Sequence, residues 1–250
     1  MADISYEVTV ICYLIAMAIL ALGAYRASKI RRALAQPIYR SRALRLALVA
    51  VLYMIALASD LLPYPNTTDL ITASMITLAL NLPYFVFAFM MFASVDKTIL
   101  VAIDMDLLQR NTLRWPRLRL PLYALVLGAI VLILVANPFL YLQTPPFWAT
   151  TADLAFYPIF LVPLCISAVA LTLSARRSLE KTMGRFVARF GVAVAFFITD
   201  FVLFNYVYYF YYTPVLQFAD NLVIIAATFF LYRAIISLTP LGKVEPPGTA

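Results

Sequence analysis

Two aspartates stand where a carboxyl group is costly to place. Asp200 lies within FVARFGVAVAFFITDFVLFNY and Asp220 within PVLQFADNLVIIAATFFLYR, and no lysine or arginine occurs between Arg189 and Arg233. A carboxyl in such a stretch must be protonated, hydrated, hydrogen-bonded to Asn, Thr or Tyr, or joined to a bound cation. The chemistry open to it is therefore uptake and release of a proton or a cation. Asp200 is 11 residues from Arg189, about 16 Å along a helix at 1.5 Å per residue. Asp220 precedes Arg233 by 13 residues, about 20 Å by the same rise. The two carboxyls can share a level. Asn221 follows Asp220 directly, Asn81 sits at a comparable depth before Pro83, and Asn205 lies about one and a half helical turns beyond Asp200. Asp200, Asp220, Asn221, Asn81 and Asn205 are the expected solute- or proton-binding set, lining a polar pocket that opens outward. The competing reading is that they bridge packed helices, since interhelical polar bonds in membranes contribute only ~0.6 to 2 kcal/mol and need no further role.

Other chemistry is excluded by what the chain lacks. It has no histidine, so bis-histidine haem, ordinary zinc sites and Ser/His or Cys/His nucleophile pairs are ruled out. Cys12 and Cys165 both fall in apolar stretches, where a thiol behaves as a small hydrophobe. No glycine-rich phosphate loop or paired-carboxylate enzyme motif is present, so no catalytic residue, cofactor or metal is expected, and no enzyme activity.

The elements that must position the acids are membrane helices. Of the residues 64% are apolar and 12% charged, against roughly 45 to 50% apolar in a soluble domain. Seven stretches are long enough to cross a hydrocarbon core: about 8–25, 43–62, 70–94, 119–141, 153–175, 187–210 and 214–236. The alternation of a β-barrel is absent, so the expected fold is all-α and polytopic, one domain over 1–240 with a short polar tail over 241–250.

Charge sets the expected orientation, because cytoplasmic loops collect Lys and Arg. RASKIRRALAQPIYRSRALR carries seven cations, the segment from Lys97 to Arg119 five, and ARRSLEKTMGRFVAR five; Arg233 and Lys243 complete the nineteen. Asp3, Glu7, Asp60, Asp69 and Asp153 fall on the opposite side, with aromatic and proline clusters suited to an interfacial belt. The first stretch has acids before it and cations after it, the reverse of a secretory signal. The N-terminus is expected outside and the C-terminus inside, in a multi-pass protein of the plasma membrane. The net charge of +7 then follows from topology and from contact with anionic lipid at the basic inner loops, without a nucleic-acid partner.

Residues 104–115, DMDLLQRNTLRW, put Met105, Leu108, Thr112 and Trp115 near one helical face and predict a short interfacial helix or a docking surface for a cytoplasmic partner. Asn66-Thr67-Thr68 matches the N-glycosylation pattern on the expected outer side. Asp60 reads as a solvated helix end, or as something more under the register described next.

Displacing the sequence by 140 residues sets Ser59-Asp60 on Thr199-Asp200, Arg45 on Arg185, Asn81-Leu82 on Asn221-Leu222 and Phe89 on Phe229. This is the pattern of a parallel three-plus-one-plus-three repeat. With the N-terminus outside, the layout is similar to that of the SWEET and PQ-loop transporter families, and Asn81 and Asn221 resemble their paired asparagines on the third and seventh helices. The Pro-Gln dipeptide is absent; Gln36-Pro37 has the reverse order. The topology also resembles seven-helix receptors and microbial opsins. Lys29, Lys97, Lys181 and Lys243 all lie outside the spans, which leaves no Schiff-base lysine for retinal.

The expected function is transport or binding of a small solute or cation through an outward-opening acidic and amide pocket, coupled to protons. The alternatives are a receptor or sensor signalling to a separate cytoplasmic protein, and a structural subunit of a membrane complex.

Overall fold

The computed structural model describes residues 4–34, 37–62, 70–104, 115, 117–128, 131, 182–202 and 213–239. Among these there is no strand. The helices are α1 (Ile4–Ala33), α2 (Pro37–Asp60), α3 (Leu70–Asp104), α4 (117–128), α5 (Thr182–Val202) and α6 (Pro214–Ile236). Four stretches of them are long and apolar enough to cross a membrane: Tyr6–Ala33, Tyr39–Asp60, Leu82–Leu100 and Pro214–Ile236. The expected fifth span, the distal parts of the fourth and sixth, the Asn66 loop, most of 104–115 and the tail lie outside the described residues.

Each helix buries one stripe and leaves another apolar face outward. In α1, Tyr13, Ala16, Leu20, Ala27 and Ile30 are buried at three- and four-residue or double-turn spacing. Ile11, Leu14, Ile15 and Leu22 are exposed on its other side, as a lipid-facing surface requires. Gly23 belongs to the buried stripe. A Cβ placed there would stand 3.4 Å from Ile235 and 3.8 Å from Tyr232, so α1 and α6 approach closely at this point.

The ends of the helices have local causes. Pro37 opens α2 at a position where its missing N–H costs nothing. In α6 the Thr213 side chain accepts a bond from the Leu216 amide at 3.2 Å and Pro214 occupies the first turn. This helix ends where the sequence places it. By contrast α1 and α3 run well past the expected 25 and 94, to Ala33 and Asp104. The arginines and the lysine beyond that point in α1 are good helix formers, and in α3 the Asp96 side chain finds the partners described below.

α2 packs on α1 and α3, and α6 packs on α1 and α5, which makes an arc in the order α3, α2, α1, α6, α5. Three fully buried rings close it. Tyr53 of α2 stacks on Phe87 of α3 at 4.5 Å and meets Phe197 of α5 edge-on at 4.8 Å, while Phe87 and Phe197 are 5.1 Å apart. Because lipid tails are as apolar as side chains, such interlocking, rather than hydrophobic burial, holds membrane helices together. Each aromatic pair adds ~0.5 to 1.5 kcal/mol beyond its buried area.

Candidate functional site

The helical repeat places the acids inside. In α5 the buried positions Phe186, Phe190, Ala193 and Phe197 continue at the same spacing to Asp200, and in α6 Asp220 continues the stripe of Ile224, Ala227, Leu231 and Ala234. Asp200 and Asp220 are 8% and 5% exposed. Their carboxyls stand side by side within hydrogen-bonding reach of one another. The hydroxyl of Tyr53 donates to Asp200 Oδ2 at 3.2 Å. Asp220 Oδ1 has no hydrogen-bond partner among the described residues.

A third carboxyl joins them. Asp60, at the end of α2 remote from Arg40, Arg42 and Arg45, is half-buried and accepts a hydrogen bond from the Tyr84 hydroxyl of α3. Tyr13 of α1 binds the same carboxyl. Asp60 is also near enough to Asp200 and Asp220 to act on both electrostatically. Five helices thus contribute to one cluster of three carboxyls and three phenols. Among the described residues no lysine or arginine pairs with these acids; the ion pair seen is Arg119 with Asp96.

The chemistry of the cluster is one-sided. Carboxylates accept, and the two phenols of Tyr53 and Tyr84 already spend their protons on Asp200 and Asp60, leaving only oxygen lone pairs. Where one acceptor faces another, a proton, a water molecule or a cation must come between them. The described residues contain no group of three or more His, Cys, Asp or Glu placed to hold a metal ion.

Of the expected set, the structure brings Asp200 and Asp220 together. Asn221 is buried beside them but turns to α1, where its Nδ2 donates to Thr9 Oγ1 at 2.9 Å; Gln217 Nε2 reaches the same oxygen at 3.0 Å. It is a link between α1 and α6. Asn81 lies in α3, and its side chain is outside the described set, as is the whole of Asn205. Asp60 is not merely a solvated helix end: it is half-buried and held by Tyr84 and Tyr13. In the sequence Asp60 is legible only through the displaced register that pairs it with Asp200, and Tyr13, Tyr53 and Tyr84 are not legible, because sixteen tyrosines in an aromatic-rich chain carry no individual signal.

Another buried acid has a structural task. Asp96 of α3, fully buried, accepts from Trp115 Nε1 at 2.9 Å, from Arg119 at 3.1 Å and from the Tyr123 hydroxyl at 3.1 Å. Beside it the buried Arg42 of α2 donates to the Lys97 carbonyl at 2.8 Å. These bonds fasten α4 and α2 to the distal part of α3. Trp115 is itself fully buried, so it does not rest on a membrane surface as the pattern of 104–115 suggested.

Comparison with known protein families, with curated proteins and with solved structures finds no match.

Proposed function

We propose that this chain is a seven-span membrane protein of the transporter type, with its N-terminus outside, its basic loops inside against anionic lipid, and two parallel halves joined by the fourth span. It binds a small solute or cation in a polar pocket opening outward and couples that binding to protons. The observation that carries the reading is the convergence of Asp60, Asp200 and Asp220, with three phenols and no partnering cation among the described residues, on one place reached by five helices.

A purely structural cluster would pair each acid with a donor, as Asp96 is paired. Asp220 leaves an oxygen without one among the described residues. An intramembrane carboxyl of that kind is characteristic of proton and ion pathways. The displaced register supports the same reading, since the two acids it equates, Asp60 and Asp200, lie in one cluster.

The test is flux. Proteoliposomes containing the full chain and a trapped pH indicator are challenged with gradients of small amines, amino acids and sugars. At least one class should drive a change of internal pH that Asp200→Asn abolishes. A panel in which every solute leaves wild type and empty liposomes alike, with binding to the protein demonstrated for one of them, would overturn transport.

A further inference from the structure

Asp60 differs from the other two acids in its access. It is half-buried, whereas Asp200 and Asp220 are enclosed. It ends α2, seven residues beyond Tyr53, which is about two turns or 10 Å along the axis. Tyr53 is the residue that hydrogen-bonds Asp200. The hydroxyls of Tyr84 and Tyr13 are both bound to Asp60, and Tyr84 stands one turn of α3 before Phe87, whose ring stacks on Tyr53 at 4.5 Å.

On this arrangement, and resting on the reading of the cluster as a proton-handling site, we infer that Asp60 is the outer port through which the buried Asp200–Asp220 pair exchanges protons with water, by way of Tyr84 and Tyr53. The pair is the destination, because a proton held between the two carboxyls gives a donor to a site where the described residues leave an Asp220 oxygen without one. The groups facing Asp60 are Tyr13 from α1, Tyr84 from α3, Asp200 from α5 and Asp220 from α6. Those facing the pair are Tyr53 and Asp60.

The transfer balances without an oxidant or reductant. A proton from water binds the Asp60 carboxylate and passes to the oxygen lone pair of Tyr84, whose own proton, until then hydrogen-bonded to Asp60, turns toward Tyr53 and is released there. Tyr53 gives its proton to Asp200 and takes the incoming one on its oxygen. Each phenol ends as it began, and one proton has moved inward. A half-buried carboxyl suits the first step because it meets water on one side and the phenol hydroxyls on the other.

The experiment uses the full chain in lipid nanodiscs and needs no solute. After a pH jump, the infrared C=O stretch of protonated carboxyl groups is followed in time, the pair being assigned by the band lost in Asp200→Asn and in Asp220→Asn. Asp60→Asn should slow protonation of the pair on the order of a hundredfold, the low end of what a positioned proton-transfer group contributes, with an unchanged amplitude once the final pH is low enough to protonate the pair fully in both proteins. Asp60→Glu should restore the rate, and Tyr84→Phe, which keeps the ring, should slow it. Protonation at the wild-type rate in both Asp60→Asn and Tyr84→Phe overturns the port. If Asp60→Asn does not fold, Tyr84→Phe decides on its own. A wild-type protein with no titrating band assignable to the pair overturns the proton-handling site itself, a result distinct from failure of the port.

Discussion

At the residue scale the contrast between Asp96 and Asp200 is instructive. Both are buried aspartates on helices of the same bundle, yet Asp96 is surrounded by three donors and Asp200 by one phenol and a second acid. The first arrangement fixes a charge; the second leaves room for a proton or cation. Asp200→Asn should therefore fold and melt within about 1 kcal/mol of wild type, because the amide keeps the size and an acceptor for Tyr53. Asp200→Leu should lose about 1 to 3 kcal/mol by forcing a branched side chain against Asp220 and leaving the Tyr53 hydroxyl unbonded. Thermal melting in a fixed detergent, read by tryptophan fluorescence or circular dichroism, checks the pair of values. Equal losses for both variants would count against the geometry. Tyr53 separates its two tasks in the same assay. Tyr53→Phe deletes the hydroxyl while keeping the rings at Phe87 and Phe197 in contact, and should cost about 1 kcal/mol. Tyr53→Leu, which opens a gap in that three-ring cluster, should cost about 2 kcal/mol more.

At the element scale, α3 shows how side-chain partners extend a helix. Apolar length alone ends the span near residue 94, but the helix continues to Asp104 because Asp96 is satisfied by Trp115, Arg119 and Tyr123 and the Lys97 carbonyl by Arg42. Asp96→Ala should cost about 2 to 3 kcal/mol, the bonds to a charged acceptor being discounted because Arg119 is one-third exposed and regains water. Asp96→Asn, which still accepts from the indole, should cost less; melting curves of the two variants give the comparison. The α1–α6 contact is set by Gly23. Gly23→Ala fits the space at 3.4 Å from Ile235 and removes backbone freedom from the unfolded chain, so it should leave stability unchanged or raise it by up to about 1 kcal/mol. Gly23→Leu should instead cost about 1 to 3 kcal/mol by overpacking. What the sequence reveals at this scale follows the same logic. The limits of α6 are readable because Thr213, Pro214 and Arg233 act locally, and the burial of Asp200 and Asp220 is readable because each lies on its own helix's apolar repeat. The Asp96 clamp and the turn of Asn221 toward Thr9 are not, since each needs the rotation of one helix against another, which no single stretch encodes.

For the whole molecule, charge and structure agree on which residues share an end of the bundle. Arg40, Arg42 and Arg45 begin α2 and Asp60 ends it; Arg185 and Arg189 begin α5 and Asp200 lies toward its other end; Asp220 begins α6 and Arg233 ends it. With α2 and α5 parallel and α6 antiparallel to both, the arginines gather at one end and the three acids lie toward the other. If the positive-inside rule applies, the arginine end faces the cytoplasm and Asp60 faces out. Single cysteines in a chain whose Cys12 and Cys165 are replaced by serine make this testable in intact cells. A cysteine at Thr68 should react with a membrane-impermeant maleimide added outside, and one at Ser178 should react only after the membrane is opened. The Ser178 position carries the greater weight, because it lies in the segment ARRSLEKTMGRFVAR, whose five cations could not all face outward without breaking the rule. Labelling of Ser178→Cys from outside, with Thr68→Cys protected, would invert the orientation and place the acid cluster's water-facing end in the cytoplasm, so that protons would be exchanged with the inner rather than the outer solution.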